Sequence, residues 1–196
     1  MWKFRTPGIP DEMFEREDNV PITKEEVRVI ALSKARLNNG STVIDIGCGS
    51  GSIAIEAAIL VSPSGKVYAI DQDKTAVALT RKNVGKFNVE NIEIIHARAQ
   101  DIIARLPDVD AIFIGGTGGD TYDIIKLAYA KMKSGGRVVI DTILIETMYH
   151  SLKAVDELKL ANVDVTQITV AKSRKVTTGT MMLARNPVII IAAEKP

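Results

Sequence analysis

The sequence predicts a single α/β domain: a mostly parallel sheet of about seven strands, helices on both faces, and an antiparallel hairpin closing one edge. Three observations carry this. Short apolar, β-branched runs alternate with segments of helical periodicity, the pattern of βαβ units around a buried parallel sheet. A glycine-rich loop joins the first of these runs to the helix after it. The last two strand-like runs follow each other with no helix between them. The chain has 196 residues, and a typical domain has about 150, so one domain is expected.

Residues 1–22 hold three prolines and mixed charge, and are expected to form an arm outside the core. Residues 23–196 are expected to form the domain. Thr23 and Glu26 have the spacing of a capping box, and Ile22 and Val27 that of a hydrophobic staple. Val27, Ile30, Ala31 and Ala35 then keep helical spacing up to Asn38-Asn39-Gly40. Thr42 to Ile46 is the first strand, Ile53 to Val61 a helix, and Lys66 to Ile70 the second strand. Asp73 is the expected N-cap of a helix over 73–86. A strand follows at 91–96, a short helix at 100–106 and a strand at 109–114. A helix over 120–133 stops at Ser134-Gly135-Gly136. Arg137 to Thr142 is a strand, 146–159 a helix, and the two final strands lie near 163–171 and 187–193.

Lys and Arg total 25 against 24 Asp and Glu, a net charge of +1, which gives no general attraction to nucleic acid. A single cysteine, Cys48, excludes an intramolecular disulfide framework and a multi-cysteine metal site, and no metal site is expected. The N-terminus has no apolar core of a signal peptide. The longest apolar runs, such as Val188 to Ala193, fall far short of the roughly 20 residues that span a bilayer. A cytoplasmic protein without a membrane or nucleic-acid partner is expected.

The strongest motif is Asp45-Ile46-Gly47-Cys48-Gly49-Ser50-Gly51, between strand and helix. Glycines let a backbone turn sharply and come close to a ligand, and the following helix adds free N–H groups. The dinucleotide fingerprint G-x-G-x-x-G is not met, because Ser52 stands at its third glycine. The segment instead resembles the acidic-x-G-x-G-x-G signature of class I S-adenosylmethionine-dependent methyltransferases. That likeness implies a Rossmann-like fold, with Gly47, Cys48, Gly49, Ser50 and Gly51 around the methionine part of the cofactor and Asp45 supporting the loop or the amino group. Asp71 ends the second strand, where a carboxylate can accept both ribose hydroxyls. An NAD enzyme wants the same residue there. Ala99 falls beside the expected adenine.

The loop after the fourth strand, Gly115-Gly116-Thr117-Gly118-Gly119, either offers N–H donors to a carboxylate or is a turn needing positive φ. The Asn/Asp-Pro-Pro-aromatic motif of many amine methylators is absent here, and Asn186-Pro187 precedes the last strand instead. Gly8-Ile9-Pro10-Asp11-Glu12, Pro21-Ile22-Thr23-Lys24-Glu25-Glu26-Val27-Arg28, the glycine loop, Phe113-Ile114-Gly115-Gly116-x-Gly118-Gly119 and Asn186-Pro187-Val188 together resemble one family. It is that of the decarboxylating cobalt-precorrin-6B methyltransferases of CbiT type, also described as precorrin-8w decarboxylases. The resemblance runs along nearly the whole chain.

It implies methyl transfer from S-adenosylmethionine to ring carbon 15 of a tetrapyrrole and loss of carbon dioxide from the acetate at carbon 12, in anaerobic cobalamin biosynthesis. It also implies a stand-alone chain, a homotetramer, and a contact between Thr23 and the cofactor. Gly115, Gly116, Gly118 and Gly119 become candidate substrate contacts. Lys172, Arg174, Lys175 and Arg185, in an acid-free stretch between the last two strands, are candidate carboxylate receptors, against a solvated hairpin. Glu146, Tyr149 and His150 after the fifth strand, and His96 after the third, are candidates for a general acid, against plain helical or capping roles. Cys48 is expected to pack rather than to attack. Competing readings are a class I methyltransferase of RNA or protein, a nicotinamide oxidoreductase, and a non-catalytic protein that retains the fold.

Overall fold

The computed structural model describes residues 2–196; Met1, where the expected arm begins, lies outside the described residues. The elements run α1 (Glu25–Ala35), β1 (Thr42–Ile46), α2 (Ser52–Val61), β2 (Lys66–Asp71), α3 (Lys74–Phe87), β3 (Ile92–His96), α4 (Ala99–Ile102) and β4 (Val109–Ile114). Then come α5 (Thr121–Lys131), β5 (Met132–Thr142), α6 (Ile145–Glu157), β6 (Ala161–Ile168), β7 (Ala171–Val176), β8 (Gly179–Ala184) and β9 (Val188–Glu194). Seven strands form one sheet in the order β3-β2-β1-β4-β5-β9-β6. The first five are parallel, and β9 runs antiparallel to both β5 and β6.

Residue alternation explains why the strands look apolar throughout. Ile44, Ile46, Ile112, Ile114 and Ile140 are buried among residues of α4, α5 and α6. Val43, Val67, Ala111, Phe113 and Val139 are buried with residues of α1 and α2 on the opposite face. A sheet covered on both sides has no polar face to show. Asp73 caps α3 as expected, its Oδ1 accepting the Thr75 N–H at 2.7 Å.

Four expectations are corrected. The capping box is not formed: Lys24 is the N-cap residue of α1, and the Glu25 N–H is satisfied from outside, by Asp11 Oδ1 at 3.0 Å. Ile22 and Val27 lie in separate apolar clusters rather than as a staple. Helix α5 ends at Lys131, because the buried Met132 joins the sheet opposite Val109 and residues 133–136 bulge out before Arg137 meets Ala111. The connection between the last two sheet strands is itself a two-stranded sheet, β7-β8, whose exposed charged residues mask strand alternation.

Residues 2–22 have little regular structure, yet they are not outside the core. Ile9, Phe14 and Ile22 are buried with Ile55 and Phe87. The physical reason is Arg28, which is fully buried. Its Nε donates to Glu56 Oε1 at 2.6 Å and its Nη1 to Asp11 Oδ1 at 3.3 Å, and it also donates to the carbonyls of Thr23 and Ile9. Glu56 in turn accepts the N–H groups of Gly8 and Ile9. Asn83 on α3 accepts the Glu15 N–H and donates to the Ser50 carbonyl, tying this segment to the glycine loop.

Candidate active site

All five parallel strands end on one side of the sheet, and the order reverses between β1 and β4, where α/β sheets take ligands. The glycine loop leaves β1 at this point. The N–H groups of Gly47 and Cys48 donate to the Ile70 carbonyl, and the Gly115 N–H to the Ile46 carbonyl, so the two loops lie side by side. A Cβ at Gly47 would stand 2.6 Å from the Gly116 carbonyl oxygen, and one at Gly49 2.8 Å from that of Pro21. At Gly51, with φ 78°, a Cβ would stand 2.8 Å from the Thr80 methyl carbon. The glycines are therefore required first by protein segments crowding against the loop.

Two compartments open here. A narrow cleft is lined by Gly47, Asp71, Gln72, Ala99, Gln100 and Asp120, among others. Asp71 Oδ2 accepts the Gly49 N–H and Oδ1 the Asp73 N–H, both at 2.9 Å, so its carboxylate is fixed in place with lone pairs still free. Asp120 accepts from Gln100 at 2.6 Å across the mouth of the cleft. The second compartment is a cavity of about 900 Å³. Gly47, Gly116 and Thr117 line both, so the two meet there.

The large cavity has a mainly apolar wall with two cations, Lys24 and Arg185. Both reach Asp11 Oδ2, at 3.9 and 3.7 Å, too far for hydrogen bonds. Among the described residues that oxygen and Arg185 Nη1 have no hydrogen-bond partner. Asp141, at the end of β5, also faces the cavity, and burial pushes its carboxyl up to about 6. Asp45 lies deeper on the same sheet face. Burial, reinforced by the charges of Asp141 and Asp71, pushes it up to about 8.

The expected site residues separate accordingly. Gly47, Asp71 and Ala99 line the cleft; Thr23, Cys48, Gly49, Gly115, Gly116, Gly118 and Gly119 line the cavity. Asp45, Ser50 and Gly51 line neither; Asp45 is buried within β1, and Ser50 and Gly51 are buried in the loop itself. Of the four glycines in the loop directly after β4, only Gly118 and Gly119 have positive φ, so the turn explanation covers those two alone. Cys48 is buried against Thr80, and burial pushes its thiol up, away from nucleophilic use.

Arg174 and Lys175 do not line the cavity: they are exposed on β7, and Lys172 is paired with Glu25 on α1. Arg185, further along, does line it. Glu146 and His150 are exposed on α6, one position off the helix face that brings Thr147 to the cavity. His96 instead meets the Gln72 carbonyl. Lys24, Gln72, Asp120 and Asp141 were not expected. Asp141 follows the buried run Val138-Val139-Ile140 as Asp71 follows its own strand, and that parallel is the signal for it. Among the described residues no cluster of three or more His, Cys, Asp or Glu could hold a metal, and no helix is long and apolar enough to cross a membrane.

A narrow cleft with a fixed carboxylate, opening into a large cavity at the edge where the parallel strands end, is the arrangement of a class I methyltransferase. Within that class the chain belongs to the precorrin methyltransferase family, whose domain matches residues 12–195. A relative from Saccharolobus solfataricus, named cobalt-precorrin-6B C(15)-methyltransferase (decarboxylating), is 46% identical over 197 residues, covering 100% of this chain and 99% of that one. One of the same name from Sulfurisphaera tokodaii is 47% identical over 193 residues, 98% and 100% of the two chains. The crystal structure of precorrin-6y C5,15-methyltransferase from Geobacter metallireducens superposes with a TM-score of 0.91 at 34% identity, over 99% of this chain and all of that one. That of precorrin 8w decarboxylase from Methanobacterium thermoautotrophicum gives 0.89 at 31% identity, over 94% and 98%.

Proposed function

We propose that the chain transfers a methyl group from S-adenosylmethionine to ring carbon 15 of cobalt-precorrin-6B and releases the carboxyl of the carbon 12 acetate as carbon dioxide. The product is cobalt-precorrin-7, on the anaerobic route to cobalamin. The observation that carries this is the meeting of the narrow cleft and the large cavity at Gly47, Gly116 and Thr117. The lining of the cleft supports a nucleoside ligand: Asp71 offers a fixed carboxylate for ribose hydroxyls, and Ala99 a small wall for adenine. When bound, the cofactor supplies an electrophilic methyl group on a sulfonium. The chain holds it and the acceptor carbon in line, which alone lowers the barrier substantially. Lys24, loosely held by Asp11, and Arg185, loosely held by Asp11 and Glu26, are placed to trade those partners for substrate carboxylates.

The reading includes a homotetramer in the cytoplasm. Ile143, Leu144, Ile145 and Tyr149 beside the cavity, and Met181, Met182 and Leu183 on β8, are exposed apolar side chains of the kind subunit contacts cover. A net charge of +1 supports a small acidic substrate rather than nucleic acid.

Asp71→Ala is expected to weaken S-adenosylhomocysteine binding at least tenfold in calorimetry, since hydrogen bonds to a charged group are each worth about 1.5–3 kcal/mol. The melting transition should persist, and unchanged affinity would overturn the assignment. The function itself is tested by mass spectrometry of cobalt-precorrin-6B incubated with the protein and S-adenosylmethionine. Gain of one methyl with loss of carbon dioxide is expected. Methylation without carbon loss moves the decarboxylation to another protein, and an untouched corrinoid with intact cofactor binding moves the chain to an RNA or protein substrate.

A further inference from the structure

Loss of carbon dioxide leaves a carbon that must take up a proton, and none of the cofactor or carboxylate contacts supplies it. The large cavity holds one carboxyl group among its lining residues, that of Asp141. Its place is set by the sheet: Ile140 pairs with Ile114, so Asp141 lies level with Gly115, beside the loop where the two compartments meet. Its side chain is on the face that also carries Asp45 on β1, a buried carboxyl whose Oδ2 has no hydrogen-bond partner among the described residues. The other charged or titratable groups lining the cavity are Cys48 from the glycine loop, Lys24 before α1 and Arg185 on the far wall. Cys48 is a poor donor because burial raises it, and Arg185 lies between the carboxylates of Asp11 and Glu26. Lys24 faces Asp11.

We propose, on the functional reading above, that Asp141 is the acid that delivers a proton to the carbon from which carbon dioxide departs. The bond between the acetate methylene and its carboxylate breaks, carbon dioxide leaves neutral, and the bonding pair enters the conjugated macrocycle. That pair then returns to the methylene carbon to form the third C–H bond of a new methyl group with the hydrogen of Asp141, whose O–H bond breaks and leaves its own pair on the carboxylate oxygen. The ring system gives up one hydrogen to water as a proton when it gains the transferred methyl, and a proton from water restores Asp141. The positive charge lost from the sulfonium cancels the negative charge lost with the carboxylate.

Burial supports this role by holding Asp141 at about 6, near the pH at which it must work. The sign follows directly: the protonated form that donates falls away as pH rises through that value. In single turnovers by the wild type, decarboxylation is therefore expected to slow about tenfold per pH unit above it, while methyl transfer does not. In deuterium oxide the new methyl should carry solvent-derived deuterium.

Asp141→Asn is expected to keep S-adenosylhomocysteine affinity and methyl transfer, to lose about a hundredfold or more in decarboxylation, and to lose its pH dependence. An Asn variant that decarboxylates at the wild-type rate overturns the proposal. So does one that loses cofactor affinity, which would place Asp141 against the cofactor instead. If the variant does not fold, the wild type decides: a ratio of decarboxylation to methylation that is flat with pH overturns the assignment. An inert wild type overturns the functional reading and this one with it, whereas a working wild type beside a working variant overturns only the acid.

Discussion

Arg28→Met is expected to lower the free energy of unfolding by about 3–5 kcal/mol, the cost of removing one partner from a buried ion pair. The side chain is fully buried between Asp11 and Glu56 and also donates to the carbonyls of Ile9 and Thr23. Methionine keeps most of the volume but leaves two carboxylates and two carbonyls under-satisfied in the interior. Glu56 would retain the N–H groups of Gly8 and Ile9, yet no cation would balance it. The damage extends to the site, because Pro21, Thr23 and Lys24 line the large cavity and the Pro21 carbonyl accepts the Ser50 N–H at 3.2 Å. Urea denaturation measures the effect. A loss under about 1 kcal/mol would mean that the network contributes no more than a surface pair.

Gly47→Ala is the second large effect. At φ 72° an L-residue is strained, and the new Cβ would meet the Gly116 oxygen at 2.6 Å and nitrogen at 2.9 Å. Backbone cannot swing aside as a side-chain tip can. The substitution therefore pushes apart the two loops that form the junction of cleft and cavity. A misplacement of about 1 Å at reacting atoms costs on the order of a hundredfold in rate, and that loss is expected in kcat for methyl transfer. Overpacking and strain add about 2–4 kcal/mol of destabilisation. Wild-type kcat in steady-state kinetics would show that the junction tolerates movement.

These two residues also mark what the sequence discloses. Gly47 was legible because its motif is contiguous and the strand before it fixes where it stands. Asp71 and Ala99 were legible for the same reason, each being counted from the end of a strand. Arg28 was not, since its partners lie 17 and 28 residues away in sequence and no local pattern joins them. The capping box failed on the same ground: Asp11, 14 residues upstream, does what Thr23 was expected to do. Among the cations after β6, charge alone could not tell Arg185 from Arg174. That choice depends on the path of the β7-β8 hairpin, which the charges themselves hide. The parallel with Asp71 marks Asp141 in the sequence, but its place beside Gly115 needed the register between β4 and β5.

The position of β9 bears on how the molecule is made. This strand is among the last residues of the chain, yet it lies inside the sheet, bonded to β5 on one side and β6 on the other. As the chain is synthesised, β6 emerges with no neighbour to pair with, and β5 waits with an open edge. Closure comes only when the apolar run Val188 to Ala193 inserts between them. Assembly of this half of the domain is thus a late, long-range event rather than a progressive one, and long-range pairing is slow because the loop must close before any contact rewards it. Until then the exposed edge of β5 is a place where two nascent chains can meet.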